Sequence, residues 1–300
     1  MEWEIREGDC INSLELMEAE SVQTIVTSPP YWGLRDYGNS KQLGLEATPA
    51  EYVANMVRVF SQVRRVLKPD GTLWLNLGDS YAGGGGYSPN SPCNKKRARG
   101  EAWGSLNRAN MDRHEAKVKP KHARKAPDGL KPKDLVGIPW RVALALQADG
   151  WWLRSDIIWH KPACMPSSVK DRPTTSHEYL FLLTRSARYY YDAEAIKEPS
   201  QEGGQRNKRS VWTVAPQPFK GSHFAVMPPR LVEPCIKAGS RVGDLVLDPF
   251  SGAATVGLVA RRLQRRYIGL ELNSDYCEIG RRRIEGDSPL FNRNITERQQ

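Results

Sequence analysis

Apolar residues fall in short runs and helical spacings that alternate along most of the chain. Trp3, Ile5 and the residues between them alternate before Gly8-Asp9, which predicts a short strand. Residues 21–27 carry the β-branched run Val22-Gln23-Thr24-Ile25-Val26 and predict a second, buried strand. Over 49–67 the apolar positions Tyr52, Val53, Met56, Val57, Phe60, Val63 and Leu67 recur at close to helical spacing. Pro69-Asp70-Gly71 predicts a turn into a strand over 72–77. Strand, helix, strand in succession points to an α/β fold, a parallel sheet covered by helices.

Beyond Leu77 the pattern lapses. Four glycines, Gly83 to Gly86, open a polar stretch with few apolar residues before Leu135, so 80–133 reads as a long inserted loop. Order resumes with a helix over 135–149, with Pro139 near its start, and strands over 151–159 and 178–184. Their short link carries Pro162, Pro166 and Pro173, which favours antiparallel pairing over a helical crossover. Residues 199–210 read as a surface loop, and 228–238 as a helix complicated by Pro234. The final third is the most regular: a strand over 241–247, a small-residue turn from Asp248, a helix to Arg266, a strand over 267–271 and a helix over 274–285. The expected organisation is one catalytic domain of 1–79 and 134–286, the insert 80–133 and a tail, 287–300.

Composition narrows the partners. With 300 residues, 39% hydrophobic and 26% charged, the chain has the profile of an ordinary soluble domain with a sizeable core. No apolar stretch approaches membrane-spanning length and the first residues lack the blocks of a signal peptide, so a cytoplasmic protein without membrane contact is expected. Five scattered cysteines with no C-x-x-C pair argue for reduced thiols and against a structural metal. The net charge is +10, and the segment from Cys93 to Lys133 alone holds 13 Lys/Arg against 4 Asp/Glu. Such a patch attracts polyanions, nucleic acid first; a solvated basic loop is the alternative. Lys95, Lys96, Arg97, Arg99, Arg108 and Arg113 are the candidate DNA contacts there, with Trp103 and His114 as wedge or anchor. Lys208 and Arg209, in the second polar stretch, are rivals.

Two segments carry candidate chemistry. Thr27-Ser28-Pro29-Pro30-Tyr31-Trp32 ends the second strand. Prolines fix the turn and donate no N–H, so its carbonyls and Ser28 can accept protons of an amine while Tyr31 stacks on a flat ring; a plain turn is the other reading. Far downstream, Asp248-Pro249-Phe250-Ser251-Gly252 leads into a helix, and Glu271 ends the next strand 23 positions after Asp248. That unit has the form of half a nucleotide-binding fold, with an acid placed for a ribose. Neither a G-x-G-x-x-G nor a G-x-x-x-x-G-K-[ST] loop is present, so a pyrophosphate is poorly served. S-adenosylmethionine, with a sulfonium, an ammonium and no phosphate, suits two acids better than NAD or ATP.

Together the segments resemble the amino-methyltransferases of DNA, which pair an Asp-Pro-Phe-x-Gly cofactor turn with an (Asp/Asn/Ser)-Pro-Pro-(Tyr/Phe) catalytic turn. Here the catalytic turn comes first and the cofactor turn last, as in the circularly permuted β class. The resemblance implies a Rossmann-like S-adenosylmethionine-dependent methyltransferase fold, a mixed sheet with one antiparallel strand and helices on both faces. It implies Ser28, Pro29, Pro30 and Tyr31 as catalytic residues. Asp9, Asp248, Phe250, Gly252, Thr255, Glu271, His223 and Phe224 become the cofactor-binding set. Residues 151–162, 177–185 and 223–228 also look like family segments. Ala253 and Ala254 depart from the Ser and Gly common there, which narrows the backbone approach.

Ser-Pro-Pro-Tyr is similar to enzymes acting on the N4 amine of cytosine in double-stranded DNA; adenine N6 is the alternative, followed by an RNA or protein acceptor and an inactive DNA-binding protein. No Pro-Cys nucleophile is expected in the chain, which argues against a C5-cytosine mechanism. The family analogy allows a homodimer and a cognate restriction endonuclease as partners.

Overall fold

The computed structural model describes residues 2–34, 41–83, 126, 129–164, 167–217 and 227–287. The candidate residues Lys95, Lys96, Arg97, Arg99, Trp103, Arg108, Arg113, His114, His223 and Phe224 lie outside these.

The alternating start forms β1 (Trp3–Glu7), and Asp9 then caps α1 (Cys10–Glu15) by accepting from the amides of Ile11 and Asn12 at 3.0 and 3.1 Å. β2 (Val22–Thr27) is buried along its whole length. Thr48 and Pro49 start α2 (Pro49–Val66), which buries Tyr52, Met56, Val59, Phe60, Val63 and Val66 along one stripe. β3 (Leu67–Leu77) begins before the expected turn: Pro69-Asp70-Gly71 sits inside it as a bulge, and the register against β2 shifts between Val22 and Thr24. α3 (Ile138–Ala148) and the strands β4 (Trp152–His160) and β5 (His177–Thr184) follow. The polar stretch beyond them is more than a loop: β6 (Glu198–Pro199) and β7 (Gln205–Arg206) pair as a small hairpin ahead of β8 (Val211–Thr213).

α4 (Pro229–Gly239) keeps Pro234 inside it; the lost backbone bond is offset by burial of Leu231, Val232, Cys235, Ile236 and Ala238. β9 (Leu245–Asp248), α5 (Thr255–Arg262), β10 (Arg266–Glu271) and α6 (Ser274–Gly286) complete the described chain. The C-terminal arginines, Arg262 and Arg266 among them exposed, are bonded back to the chain. Arg262 grips Asp287 through two 2.7 Å bonds, and Arg265 and Arg266 bond the carbonyls of Ser240 and Gly243. Each guanidinium satisfies a loop or helix end that would otherwise be left open.

Eight strands form one sheet in the order β1-β10-β9-β2-β3-β5-β4-β8. β5 runs antiparallel to both neighbours and every other pairing is parallel, so the sheet is mixed with one antiparallel strand. Period-2 alternation divides the core in two. Leu73, Leu75 and Leu77 of β3 face α1, α2 and α3, whereas Trp74 faces α4 and the cluster containing α5 and α6. Helices thus cover both faces.

Gly257 of α5 marks how closely that second layer packs. A Cβ there would stand 2.4 Å from Cε1 of the buried Tyr267. Intrinsic helix propensity favours alanine at an interior position by about 1 kcal/mol. The clash reverses the sign: Gly257→Ala lowers the urea-unfolding free energy by about 1–3 kcal/mol, and a variant as stable as the parent or more so refutes this packing.

Candidate functional site

β2 and β9 are parallel neighbours, with Ile25 opposite Leu247, so the segments that follow them leave the sheet at the same edge. Loops at the carboxyl ends of such strands bound the usual ligand crevice of α/β folds. The last residues of the two strands are joined directly: the Thr27 hydroxyl donates to Asp248 Oδ1 at 2.7 Å, bridging 221 positions of sequence. Both turns line one cavity of about 590 Å³.

On the cofactor side, Asp248 Oδ1 also accepts from the Phe250 amide at 3.0 Å. Glu271 accepts from the Gly252 amide at 2.7 Å and from Asn273 at 2.9 Å, which ties the end of β10 to the turn. Burial pushes the Asp248 carboxyl up from 3.8 to about 7, opposed by the Thr27 and Phe250 bonds and helped by the charge of Glu271. Burial likewise raises Glu271, against its backbone hydrogen bonds. Gly252 takes a left-handed φ of +51°, and Ala254 does so at +54° despite its methyl group. A glycine there would relieve that strain. Arg283 of α6, unmarked by any motif, donates to the Ala253 carbonyl at 3.0 Å and to the Thr255 hydroxyl at 2.8 Å. Asp9, Phe250, Gly252 and Thr255 all line the cavity.

On the catalytic side, the Pro30 carbonyl is taken by the Tyr52 hydroxyl at 2.9 Å, so Ser28 and the Pro29 carbonyl are the turn's remaining acceptors. The Tyr31 ring packs over Gly78, where any Cβ would lie 2.6 Å from its Cε2. Its hydroxyl meets Ser28 Oγ at 3.2 Å, Asn76 Oδ1 at 3.0 Å and Glu178 Oε2 at 2.8 Å. Burial and the Glu178 charge hold the phenol well above its ordinary range. Glu178 Oε1 is paired with Lys161, which also lies 4.2 Å from the centre of the Trp159 ring. Asn76, Glu178 and Lys161 were not singled out as site residues from sequence; the signal was their place at the cavity-facing ends of β3, β5 and β4. Asp79, just past β3, caps α3 through the Gly137 and Ile138 amides at 3.0 and 3.1 Å and lines the same cavity.

Other candidates fall elsewhere. Trp32 is an anchor, its Nε1 donating to the Glu46 carbonyl at 3.0 Å. Lys208 stacks on Trp212, and Arg209 bonds Glu198 at 2.6 Å; neither lines the cavity. Pro-Cys pairs do occur, contrary to expectation, at Pro92-Cys93 and Pro234-Cys235. Cys93 lies outside the described residues. Cys235 is buried within α4, its thiol pushed well up by burial, and does not reach the cavity. No helix among the described residues is long and apolar enough to cross a membrane.

The family model described as DNA methylase matches residues 22–282. The chain belongs to that family. Its relatives include the type II methyltransferases M.Cfr9I of Citrobacter freundii, 51% identical over 94% of this chain and 87% of that protein, and M.SmaI of Serratia marcescens, 47% identical over 92% and 89%. It is a type II DNA methyltransferase of the N4/N6 family. Among solved structures, the fold is similar to the PvuII DNA methyltransferase (cytosine-N4-specific), with a TM-score of 0.67 at 20% identity over 94% and 86% of the two chains. It is also similar to the M1.HpyAVI–SAM complex, with a TM-score of 0.55 at 15% identity over 94% and 98%.

The buried Asp248 of this methylase carries a pH signature. The folded state holds its proton up to about pH 7, whereas the unfolded chain releases it near 3.8. The stability tied to that proton is therefore present below pH 4 and lost as pH rises to 7. Asp248→Asn removes the contribution, so between pH 5 and 8 the parent loses more unfolding free energy than the variant; parallel curves from urea titrations refute the buried-acid assignment.

Proposed function

We propose that this methylase transfers the methyl group of S-adenosylmethionine to the exocyclic N4 amine of a cytosine extruded from double-stranded DNA. The observation that carries this reading is the single cavity shared by the Ser28–Tyr31 turn and the Asp248–Gly252 turn, joined through Thr27 and Asp248. Two acids, Asp248 buried and Glu271 half-buried, both held up by desolvation, fit a ligand that brings positive charge and no phosphate. Asp248 and Glu271 would hold the cofactor's charged and hydroxyl groups, Gly252 would allow close approach to the backbone, and Asp9 and Phe250 of the same cavity lining would complete its site. Bound there, S-adenosylmethionine supplies an electrophilic methyl group.

The remaining work belongs to the chain. Extruding a base costs a few kcal/mol, part of which stacking on Tyr31 returns. Ser28 Oγ and the Pro29 carbonyl accept hydrogen bonds from the amine and aim its lone pair across the cavity. Transfer is then an in-line displacement accelerated by positioning. DNA is gripped by the basic insert. Its described ends support this, since the Ala82 amide donates to the Asp134 carbonyl at 2.8 Å, the Lys133 amide donates to the Ala82 carbonyl at 2.7 Å, and Tyr81 bridges Leu135 two residues beyond Asp79 of the cavity lining. A restriction endonuclease reading the same sequence is the proposed cognate partner, in keeping with the type II relatives.

Two experiments test this. Nucleoside mass spectrometry and methylation-sensitive sequencing of DNA from cells expressing the chain return N4-methylcytosine in one sequence context; N6-methyladenine instead overturns the choice of base. Glu271→Ala weakens S-adenosylmethionine binding by about ten- to a hundredfold in calorimetry, the scale of a lost charged hydrogen bond, and an unchanged dissociation constant refutes the cofactor assignment.

A further inference from the structure

The hydrogen bonds behind Ser28 run in one direction only. Beyond Tyr31 lie two groups that can receive its hydroxyl proton, the Glu178 carboxylate at 2.8 Å and Asn76 Oδ1 at 3.0 Å. An ionised carboxylate can only accept. The Asn76 amide nitrogen is occupied with the Tyr179 carbonyl at 3.0 Å, which turns its oxygen toward Tyr31. Tyr31 therefore donates inward, and its oxygen is left to accept from Ser28 at 3.2 Å. With its own proton committed to Tyr31, Ser28 presents lone pairs to the cavity. It can receive an N–H but has nothing to give a carbonyl. The same arrangement that welcomes an exocyclic amine thus rejects thymine or uracil, which carry an oxygen at that position.

We infer that Glu178, acting through Tyr31, both fixes Ser28 as an acceptor and receives the proton released when the amine is methylated. This rests on the reading of Ser28 as the amine's partner, and it holds for N4 or N6. Methylation leaves the nitrogen with a positive charge and one proton too many. One N–H bond breaks and its electron pair stays on nitrogen. The proton passes to Ser28 Oγ as Ser28's own proton moves to Tyr31 Oη and Tyr31's moves to Glu178 Oε2. One O–H bond forms at Glu178, and the positive charge on nitrogen and the negative charge on the carboxylate both disappear. Lys161, paired with Glu178 Oε1, is the cation beside that carboxylate. The other titratable groups lining this cavity include Asp79, His177, Asp248 and Glu271. None of these makes a hydrogen bond to Tyr31 among the described residues.

Glu178→Gln tests the relay with little change of shape, because the amide oxygen still accepts from Tyr31 but takes up no proton. The substrate is a duplex oligonucleotide carrying the context found by sequencing. The expected result is a single-turnover methyl-transfer rate about a hundredfold lower, with dissociation constants for S-adenosylmethionine and for the duplex within about twofold of the parent. Tyr31→Phe, which keeps the ring and cuts the relay in the middle, gives a similar loss. The parent rate slows in deuterium oxide and the Glu178→Gln rate loses that sensitivity. A Glu178→Gln rate within about twofold of the parent overturns the proposal, as does a loss explained wholly by weaker binding. A parent enzyme that methylates no exocyclic amine overturns the proposed function itself, a distinct result.

Discussion

A hydroxyl–carboxylate bond at the sheet edge, Thr27 to Asp248, is the constraint from which the site follows. Each residue is the last of its strand, and the strands are parallel neighbours. Any register slip between β2 and β9 separates the pair, and a one-residue slip also exchanges the two faces of the strand, each of which packs into its own core cluster. The apolar pattern that builds the core therefore also sets the distance between the two turns. The bond is buried as well, so an Asp248 without it stands in a low-dielectric place with one partner fewer. Fold and crevice are specified by the same contact.

That coupling explains why so much was legible in the chain. β2, α2, β9, α5, β10 and α6 are local elements with strong periodicity, and each lies close to where the spacing of apolar residues puts it. The pairing of β4 with β5 followed from a short proline-bearing link. What was hidden depends on long-range geometry. Pro69-Asp70-Gly71 reads as a turn, yet the chain needs a bulge there to keep Thr72 beside Thr24, and nothing local distinguishes the two. The bonds of Arg262, Arg265 and Arg266 were hidden because sequence does not show that Asp287, Ser240 and Gly243 come round to meet them. Pro234 reads as a complication within its helix because the burial that offsets it comes from the sheet below.

The same limit separates the two halves of the site. Ser28–Tyr31 and Asp248–Gly252 are contiguous, so their chemistry shows in the residue string. Asn76, Lys161 and Glu178 come from three different strands and are single polar residues at strand ends, a position that polar residues often occupy for no functional reason. Only the order β3-β5-β4 brings them to one point around the Tyr31 hydroxyl. Arg283, which braces the cofactor turn from behind, belongs to the same class.

Charge divides the cavity into two unlike ends. At the cofactor end, Asp248 and Glu271 are held by neutral donors: a threonine hydroxyl and backbone amides. Burial without a countercharge leaves both carboxyls raised, so an entering cation recovers interaction energy the protein itself does not supply. At the catalytic end, Glu178 already has Lys161 as its countercharge, and a second cation gains little there. On the proposed function, a neutral base that must not be held by charge would meet the balanced end, and a positively charged donor the unbalanced one. Two ligands that differ chiefly in charge would thereby be sorted to opposite sides of one crevice before any contact specific to either is made, which is the arrangement that brings a methyl group to face an amine.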